Sequence, residues 1–208
     1  MTPTFPVEAK PAPLSLTDLP RETVAMARWL IGAILVRDTG DETCIARIVE
    51  TEAYPPGDPA SHAFRGMTAR NRAMHLRAGH AYVYLGYGVS WLVNVSSEGE
   101  GEGAAVLIRA AKPLLGQEAM AVRRGRSRSE DLMSGPGKLC QALGIDRSLD
   151  GVDLCESGPL YLSKGGAGDA RIGESVRIGI TRAVDQPWRF FDLERLNYVS
   201  GPKRLSAG

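Results

Sequence analysis

The chain has 208 residues, of which 43% are hydrophobic, so it can bury one sizeable core at the upper edge of the usual single-domain length. Its 25 Lys and Arg residues balance 24 Asp and Glu residues, and the net charge of +1 does not by itself indicate a nucleic-acid binder. No apolar run is long enough to cross a membrane, and the three cysteines lack metal-ligand spacing. These features argue against a membrane protein and predict reduced thiols of the cytosolic type.

Both ends of the chain are predicted to be tails. Residues 1–14 contain prolines at positions 3, 6, 11 and 13 and lack the apolar core that a signal peptide requires. We expect a disordered Pro-rich tail over 1–14, one domain over 15–202 and a short second tail over 203–208.

The predicted elements begin with a helix and two strands. Thr17 or Asp18 can cap a helix that Gly32 ends. The apolar and β-branched stretches 33–37 and 43–51 predict strands joined by a turn.

Two carboxylates, Glu50 and Glu52, come at the end of the second strand. Because side chains alternate across a strand, we expect both on one face with Ala46 and Ile48. A part-buried carboxylate has a raised pKa and can act as a general base towards a bound water. For a single Glu, an ion-paired residue on an edge strand is the commoner case, and the spacing does not say which of the two would act.

A Pro-rich loop over 55–59 leads to His62, and a short helix is predicted over 69–77. Strands over 81–85 and 89–95 alternate well and predict a hairpin with a tight tip.

The remaining sequence completes an α+β pattern. Strands in hairpin order, with interspersed helices and no βαβ rhythm, predict a single compact domain with a mostly antiparallel curved β-sheet core, a protruding β-hairpin and surrounding helices. The later predicted elements are an unpacked acidic glycine loop over 98–103, a strand over 104–110, a helix over 115–122, a mobile Arg- and Ser-rich loop, a helix opening at 134–138 and ended by Gly144, and strands over 160–162 and 174–181.

Four rings suggest a site for a flat, aromatic ligand. Tyr54, His62 and Tyr84 can sandwich such a ligand, since stacking on a base contributes roughly 1–3 kcal/mol. Each of them alone is more often an ordinary half-buried ring. Tyr87 is flanked by glycines at the hairpin tip, where a wedge that enters a base stack would need to be mounted. A plain turn residue explains Tyr87 equally well.

Three further polar positions stand out. Asn94 and Arg109 lie inside predicted strands, so each needs hydrogen-bonding partners if it is buried. Gly135, Gly137 and Lys138 at a helix start resemble an anion site, although the spacing is not that of a P-loop. Structural hydrogen bonding and a plain helix start are the simpler explanations.

Taken together, the motifs resemble the alkyladenine, or 3-methyladenine, DNA glycosylase family of the mammalian type. The resemblance runs from about Leu19 to Phe191, over nearly the whole domain, and makes the domain at 15–202 a DNA glycosylase domain. The motifs that carry it are Arg47-Ile48-Val49-Glu50-Thr51-Glu52-Ala53-Tyr54, Arg70-Asn71-Arg72, Tyr82-Val83-Tyr84 with Tyr87-Gly88, and Ser134-Gly135-Pro136 with Lys138-Leu139-Cys140-Gln141-Ala142-Leu143.

The resemblance implies a role for each catalytic candidate. Glu52, rather than Glu50, would be the base that activates water, and Arg109 would help to position that water. The implied reaction is hydrolysis of the bond between an alkylated or deaminated purine and deoxyribose in duplex DNA. It would leave an abasic site, because no lysine stands among the motif residues as a Schiff-base nucleophile. No metal and no cofactor are implied.

The resemblance also implies how the substrate is held. Tyr54, His62 and Tyr84 would stack on the base, Asn94 would exclude guanine, and Tyr87 would fill the gap left by the flipped nucleotide. The expected partner is double-stranded DNA that contains damaged purines. The protein is expected to be a monomer and to lie in the cytoplasm, associated with the nucleoid if it is bacterial. Phosphate contacts are expected from Arg70, Arg72, Lys138 and the loop 123–128.

The sequence departs from the family pattern in a way that leaves the lesion range open. The loop from Tyr54 to His62 is one residue shorter, the acidic glycine loop is two residues longer, and Ser90 and Trp91 stand where other members carry aromatic residues. Two other functions compete with the glycosylase: an N-ribosyl hydrolase acting on free nucleosides, and a non-catalytic module that binds damaged DNA.

Overall fold

Antiparallel strands form the central sheet of the protein, and helices pack against it. The computed structural model describes residues 10–165 and 171–201. Within these ranges the α-helices are α1 Thr23–Trp29, α2 Gln117–Arg124, α3 Ser129–Leu132 and α4 Pro136–Leu143. The strands are β1 Ile34–Asp38, β2 Thr43–Tyr54, β3 Ala81–Gly86, β4 Ser90–Ser96, β5 Ala105–Leu115, β6 Leu160–Ser163, β7 Ile172–Ser175 and β8 Arg189–Asp192.

The strands form one curled sheet with β2 at its centre. The order is β3-β4-β5-β2-β1-β6, and β8 pairs with both β2 and β7. All of these pairings are antiparallel. At 12 residues, β2 is long enough to pair with β1 near its start and with β8 across Glu50–Glu52. The predicted α+β fold, a single compact domain with a curved antiparallel core, is confirmed.

The main hydrophobic core lies between the sheet and the helices. Met26 and Leu30 at α1, Leu139 and Leu143 in α4, and Ile48 in β2 are buried in one cluster. Full burial of such a side chain contributes about 1.5–3 kcal/mol, so this cluster holds the helices against the sheet. Within the described part of the chain, no helix combines the length and apolar character that a membrane span needs.

The first helix begins later than predicted, with its cap at Glu22 rather than at Thr17 or Asp18. Ser15 and Asp18 close a separate 3-10 turn over Leu16–Asp18, and Leu19 then adopts an extended conformation with ψ of 125°. The residue before a proline avoids the helical region, and Pro20 follows Leu19. Helix α1 therefore starts at Thr23 and is capped by the Glu22 side chain, which accepts hydrogen bonds from two backbone N–H groups.

Part of the predicted N-terminal tail packs on the domain. The backbone N–H of Leu14 donates to the carbonyl of Leu162 at 2.9 Å, and the Leu14 side chain is buried. Pro13 forms an isolated bridge with Ser163. The predicted boundary at residue 14 thus falls inside the packed chain. Residues 1–9 and the predicted tail over 203–208 lie outside the described residues.

Two compensating bulges change the predicted face of β2. Val49 has no partner on β5, and Arg109 has none on β2. As a result Ile48 packs in the main core, and so does Ala53, five residues on. Thr51 also faces that side, since its hydroxyl donates to the carbonyl of Ala27 in α1 at 2.7 Å. The prediction that Glu50 and Glu52 share a face with Ala46 and Ile48 is therefore wrong, although the two carboxylates do lie together.

Other predicted boundaries were also wrong. Only Arg72–His75 of the predicted helix over 69–77 is helical, as a 3-10 turn, because Asn71 bonds locally to Thr68 and to the carbonyl of His62. The strand predicted over 174–181 stops at Ser175.

The chain beyond Ser175 leaves the sheet, and Gly179 there has a φ of +77°, which a strand does not accommodate. The prediction did not include β8 or α3.

The acidic glycine loop packs against the protein, contrary to the prediction. Oε1 of Glu98 accepts hydrogen bonds from the N–H and the hydroxyl of Thr23, at 2.7 and 2.6 Å. Gly103 lies so close to His75 that an added Cβ would come within 2.5 Å of the imidazole. The loop therefore ties the start of α1 to the segment that precedes the hairpin.

Candidate functional site

A cavity of about 310 Å³ opens beside the β3–β4 hairpin. This volume lies at the lower end of the range for small-molecule sites, which suits a single flat ring system. Aromatic side chains form one wall, and the segment that follows β7 forms the other. The lining residues are Tyr54, Pro59, Ala60, His62, Met74, Tyr82, Tyr84, Asn94, Gly179, Ile180, Thr181 and Arg182.

The four residues predicted to contact a base, Tyr54, His62, Tyr84 and Asn94, all line this cavity. Alternation along β3 places Tyr82 on the same face as Tyr84, and their rings stack with centroids 5.1 Å apart. Tyr82 was not among the predicted base-contacting residues, although its spacing of two from Tyr84 places it on the same face of the strand.

His62 is fixed against this aromatic wall. Its ring meets Tyr84 edge-on at 4.6 Å, and its Nδ1 shares a hydrogen bond of 2.9 Å with the hydroxyl of Tyr82. Burial, with the positive charge of Arg70 as a smaller cause, lowers the pKa of His62. The imidazole is therefore neutral at neutral pH.

Asn94 is held from the neighbouring strand β4. Its Nδ2 donates to the carbonyl of Tyr82 at 3.0 Å, and its side chain is buried at the cavity. This hydrogen bond fixes the amide plane of Asn94 next to the aromatic wall.

Glu52 lies one hydrogen bond behind the cavity wall. Its Oε2 accepts from the hydroxyl of Tyr54 at 2.9 Å, and Nη1 of Arg109 lies 3.1 Å from the same oxygen. Its Oε1 accepts from the backbone N–H of Ile178 at 2.7 Å. The carboxylate is fully buried, and each of its oxygens has a donor from an element at the cavity.

Glu50 does not line the cavity, and neither do its hydrogen-bond partners. Its Oε1 accepts from Nε of Arg109 at 2.9 Å and from Nε of Arg189 at 2.6 Å. Its Oε2 accepts from the backbone N–H of Ser200 at 2.6 Å. Arg109 therefore bridges the two carboxylates, while Arg189 neutralises Glu50 alone.

Burial raises the pKa of Glu52. Arg109, the Ile178 N–H and the Tyr54 hydroxyl all favour the charged form, but the cost of removing the carboxylate from water is larger, and Glu50 adds to it. Burial and the neighbouring Glu52 also raise the pKa of Tyr54, which stays a hydroxyl donor throughout the physiological range. The site thus contains one carboxylate whose basicity exceeds that of an ordinary Glu.

Tyr87 stands outside the cavity at the hairpin tip. Its side chain is 89% exposed, and its φ of +51° is unusual for a residue other than glycine. Its hydroxyl donates to the carbonyl of Gly179 at 3.0 Å, so the tip contacts the segment that lines the cavity.

The predicted phosphate-contacting residues fall into two groups. Arg70 lies over the Tyr84 ring at 5.6 Å, and its Nη2 donates to the carbonyl of Leu85 in the hairpin. Arg72 is exposed, and Lys138 is exposed in the first turn of α4, where the adjacent Gly137 packs on Ser90 of β4. These cations therefore lie on the hairpin side of the molecule.

By contrast, Arg123 and Arg124 of the predicted phosphate-contacting loop are in α2 and are bound within the protein. Nη1 of Arg123 donates to Glu42 at 2.8 Å, and Nε of Arg124 donates to the carbonyl of Leu132 at 3.0 Å. Their guanidinium groups are engaged by the domain itself.

Comparison with known proteins finds close relatives over nearly the whole chain. The family model described as Methylpurine-DNA glycosylase (MPG) matches residues 17–195. A protein of Mesorhizobium japonicum named "Putative 3-methyladenine DNA glycosylase" is 54% identical over 193 residues, which are 93% of this chain and 92% of that protein. Proteins of the same name from Paraburkholderia phytofirmans and Granulibacter bethesdensis are 45% and 46% identical, over 93% and 92% of this chain and 90% and 91% of theirs.

These matches and the buried carboxylate beside an aromatic cavity define a class, the hydrolases that act on N-glycosyl bonds. Within that class, the chain belongs to the methylpurine-DNA glycosylase family. Family membership confirms the resemblance found in the sequence motifs and makes DNA the substrate polymer.

Proposed function

We propose that the protein flips alkylated or deaminated purines out of duplex DNA into the cavity and hydrolyses the N-glycosidic bond with a water activated by Glu52. The product is an abasic site, and the strand is not cut. The observation that carries this proposal is the position of Glu52, a buried carboxylate bonded to the Tyr54 hydroxyl at the wall of an aromatic cavity.

The surroundings of the two carboxylates favour Glu52 over Glu50 as the base. Glu50 accepts hydrogen bonds from the guanidinium groups of Arg109 and Arg189 and from one backbone N–H, and none of these donors lines the cavity. Glu52 has one guanidinium partner, Arg109, and a raised pKa. A general base works best when its pKa lies near the working pH, so the less neutralised carboxylate is the better one.

Arg109 supports the reaction without taking a proton. Burial opposes its charge, but the two carboxylates outweigh that effect and raise the pKa of Arg109. The guanidinium thus stays positive beside Glu52, where it can orient a water held by that carboxylate. That water attacks a sugar carbon with oxocarbenium character, as in glycoside hydrolysis.

The exposed hairpin tip supports base flipping. A damaged base is hidden in the duplex, and extruding its nucleotide costs a few kcal/mol. A rigidly mounted ring at the tip can enter the stack and take the place of the extruded base. Tyr87 is held in that way, by the turn and by its hydrogen bond to Gly179. The cavity behind it, lined by Tyr54, His62 and Tyr84, would receive the base.

The decisive experiment is base release from end-labelled duplexes that each carry one hypoxanthine, ethenoadenine or methylated purine. Wild type and Glu52→Gln are compared, and abasic sites are revealed by alkali. Release by wild type alone would establish both the activity and the base, and the panel of lesions would give the substrate range. Tight lesion binding by both proteins without release would contradict the proposal and indicate a damage-binding module.

Three expectations from the sequence remain predictions. These are the monomeric state, the location in the cytoplasm, with the nucleoid in a bacterium, and the phosphate contacts of Arg70, Arg72 and Lys138.

A further inference from the structure

Arg177 and Asp58 form a buried ion pair behind the cavity wall, and the proposed hydrolysis assigns no step to either. Both side chains are fully buried. Nη2 of Arg177 donates to Oδ1 of Asp58 at 3.1 Å, and Nη1 donates to Oδ2 of the same carboxylate. Such a bidentate pair fixes the plane of the guanidinium as well as its position.

The same guanidinium binds two backbone carbonyls at the edges of the site. Nη1 of Arg177 donates to the carbonyl of Ala53 at 2.9 Å, and Nη2 donates to the carbonyl of Ala183 at 3.4 Å. Ala53 directly follows Glu52 on β2, and Ala183 comes just after the segment 179–182 that forms the second cavity wall. Arg177 therefore joins the end of β2, the loop that carries Asp58 and both ends of that wall.

Arg177 also adjoins the two groups, Ile178 and Tyr54, that donate hydrogen bonds to Glu52 from the cavity side. Ile178, the next residue, donates its backbone N–H to Oε1 of Glu52 at 2.7 Å. The guanidinium carbon of Arg177 lies 4.7 Å from the centroid of the Tyr54 ring, and the Tyr54 hydroxyl donates to Oε2 of Glu52. The same guanidinium carbon also lies 5.0 Å from the centroid of the Trp188 ring. A shift of Arg177 would thus move donors to both oxygens of Glu52.

We propose that Arg177, held by Asp58, is a positioning residue that sets the orientation of the Glu52 carboxylate through Ile178 and Tyr54. This inference rests on the proposed role of Glu52 as the general base. A buried ion pair is by itself weak evidence for stability, because desolvation of the two charges offsets their attraction. The placement of the pair between the donors to Glu52, rather than its energy, supports the assignment.

The other charged and titratable groups that face Glu52 do not depend on Arg177. Arg109 approaches from β5, Glu50 from β2, and Arg189 from β8 through its bond to Glu50. Loss of Arg177 would leave these groups in place and weaken only the donors from Ile178 and Tyr54. Both of those donors lower the pKa of Glu52, so weakening them would raise it.

The test compares wild type, Arg177→Lys and Asp58→Asn in single-turnover base release across pH, on the lesion that wild type releases fastest. A lysine keeps the charge but cannot reproduce the planar fork that reaches Asp58, Ala53 and Ala183 together. We expect the plateau rate to fall about 10- to 100-fold in both variants, as for a small misplacement of a reacting group. We also expect the acidic limb of the rate profile to move to higher pH, with a smaller change in DNA affinity.

The matched control is Arg123→Lys, which disturbs a part-buried ion pair with Glu42 away from the cavity. All assays are run below the lowest thermal unfolding midpoint of the set. An acidic limb that stays at its wild-type pH in either Arg177→Lys or Asp58→Asn would overturn the positioning role, whether or not the unfolding midpoint falls. A lowered midpoint with an unmoved limb is what we expect of the control. Failure of wild type to release any base would instead overturn the proposed function, and this inference with it. If one variant does not fold, the other decides.

Discussion

The hydroxyl of Tyr54 donates a 2.9 Å hydrogen bond to Oε2 of Glu52, which links the aromatic wall of the cavity to its buried carboxylate. Because the pKa of Tyr54 is raised, the hydroxyl keeps its proton and its direction of donation at any physiological pH. One residue thus both lines the cavity and holds the proposed general base.

Tyr54→Phe keeps the stacking ring and removes that donor. The hydroxyl favours the ionised form of Glu52, so its loss should raise the pKa of Glu52. The base-release rate rises with pH as Glu52 loses its proton, so the acidic limb should move to higher pH, with little change at the plateau.

Single-turnover rates between acidic and mildly basic pH measure this shift. Tyr84→Phe is the control, because it alters a cavity ring that has no hydrogen bond to Glu52. Equal profiles for wild type and Tyr54→Phe would show that the hydroxyl does not tune the base.

Glu50→Gln should harm stability more than Glu52→Gln does. Among the described residues, Arg189 would lose its one carboxylate partner and Arg109 one of two. Leaving a buried charge uncompensated typically costs about 3–5 kcal/mol. Urea unfolding of the two variants measures the difference. A similar loss of stability in both variants would mean that Glu50 and Glu52 are equally structural.

Tyr87→Gly should lower the activity on duplex DNA while leaving the stability nearly unchanged. Glycine accepts the φ of +51° without strain, a gain that offsets the missing hydrogen bond to Gly179, so the free energy of unfolding should stay within about 1 kcal/mol of wild type. Base release from duplex DNA should fall at least about tenfold, because no ring remains to fill the emptied stack.

The matched control is Val89→Ala, since Val89 is 82% exposed on the same hairpin. Duplex activity that survives in Tyr87→Gly would argue against a wedge and in favour of a hydrolase for free nucleosides.

Lys138→Ala and Arg72→Ala should each weaken DNA binding by a similar factor on DNA of any base sequence. The slope of log K against log salt should decrease by about 0.9 for each DNA phosphate that the variant no longer neutralises. Lys10→Ala is the control, because Lys10 pairs with Asp38 on β1, which is separated from the hairpin by β2 and β5 in the sheet. Binding titrations at several salt concentrations decide this, and an unchanged slope for Lys138→Ala would remove α4 from the DNA-contacting surface.

The sequence predicted best what depends on local pattern. Alternating side chains and the glycines around Tyr87 defined the hairpin to within one residue at each end, since β3 is Ala81–Gly86 and β4 is Ser90–Ser96. The four predicted base-contacting residues line one cavity because neighbouring strands and short loops bring them close together.

What the sequence did not predict depends on contacts between distant parts of the chain. Arg177 meets Asp58 across 119 residues, and Arg189 meets Glu50 across 139 residues. No periodicity marks such partners. The segment after Ser175 resembles a strand in sequence, but the Arg177 side chain donates to the carbonyl of Ala53, and the Ile178 N–H donates to the Glu52 side chain.

The unpaired residues Val49 and Arg109 make the lengths of β2 and β5 interdependent. Between Ile48 and Thr51 of β2 and the facing residues of β5, each strand has one residue more than a regular ladder would hold. The two extra residues cancel, so that pairing resumes with Thr51 opposite Ile108. Deleting either residue alone would force a one-residue slip, and a slip of one turns every later side chain to the opposite face. After deletion of Val49, Glu52 would point towards Ala27 in the apolar core. In this part of the two strands, a change in the length of one strand keeps the register at Thr51 only with an equal change in the other.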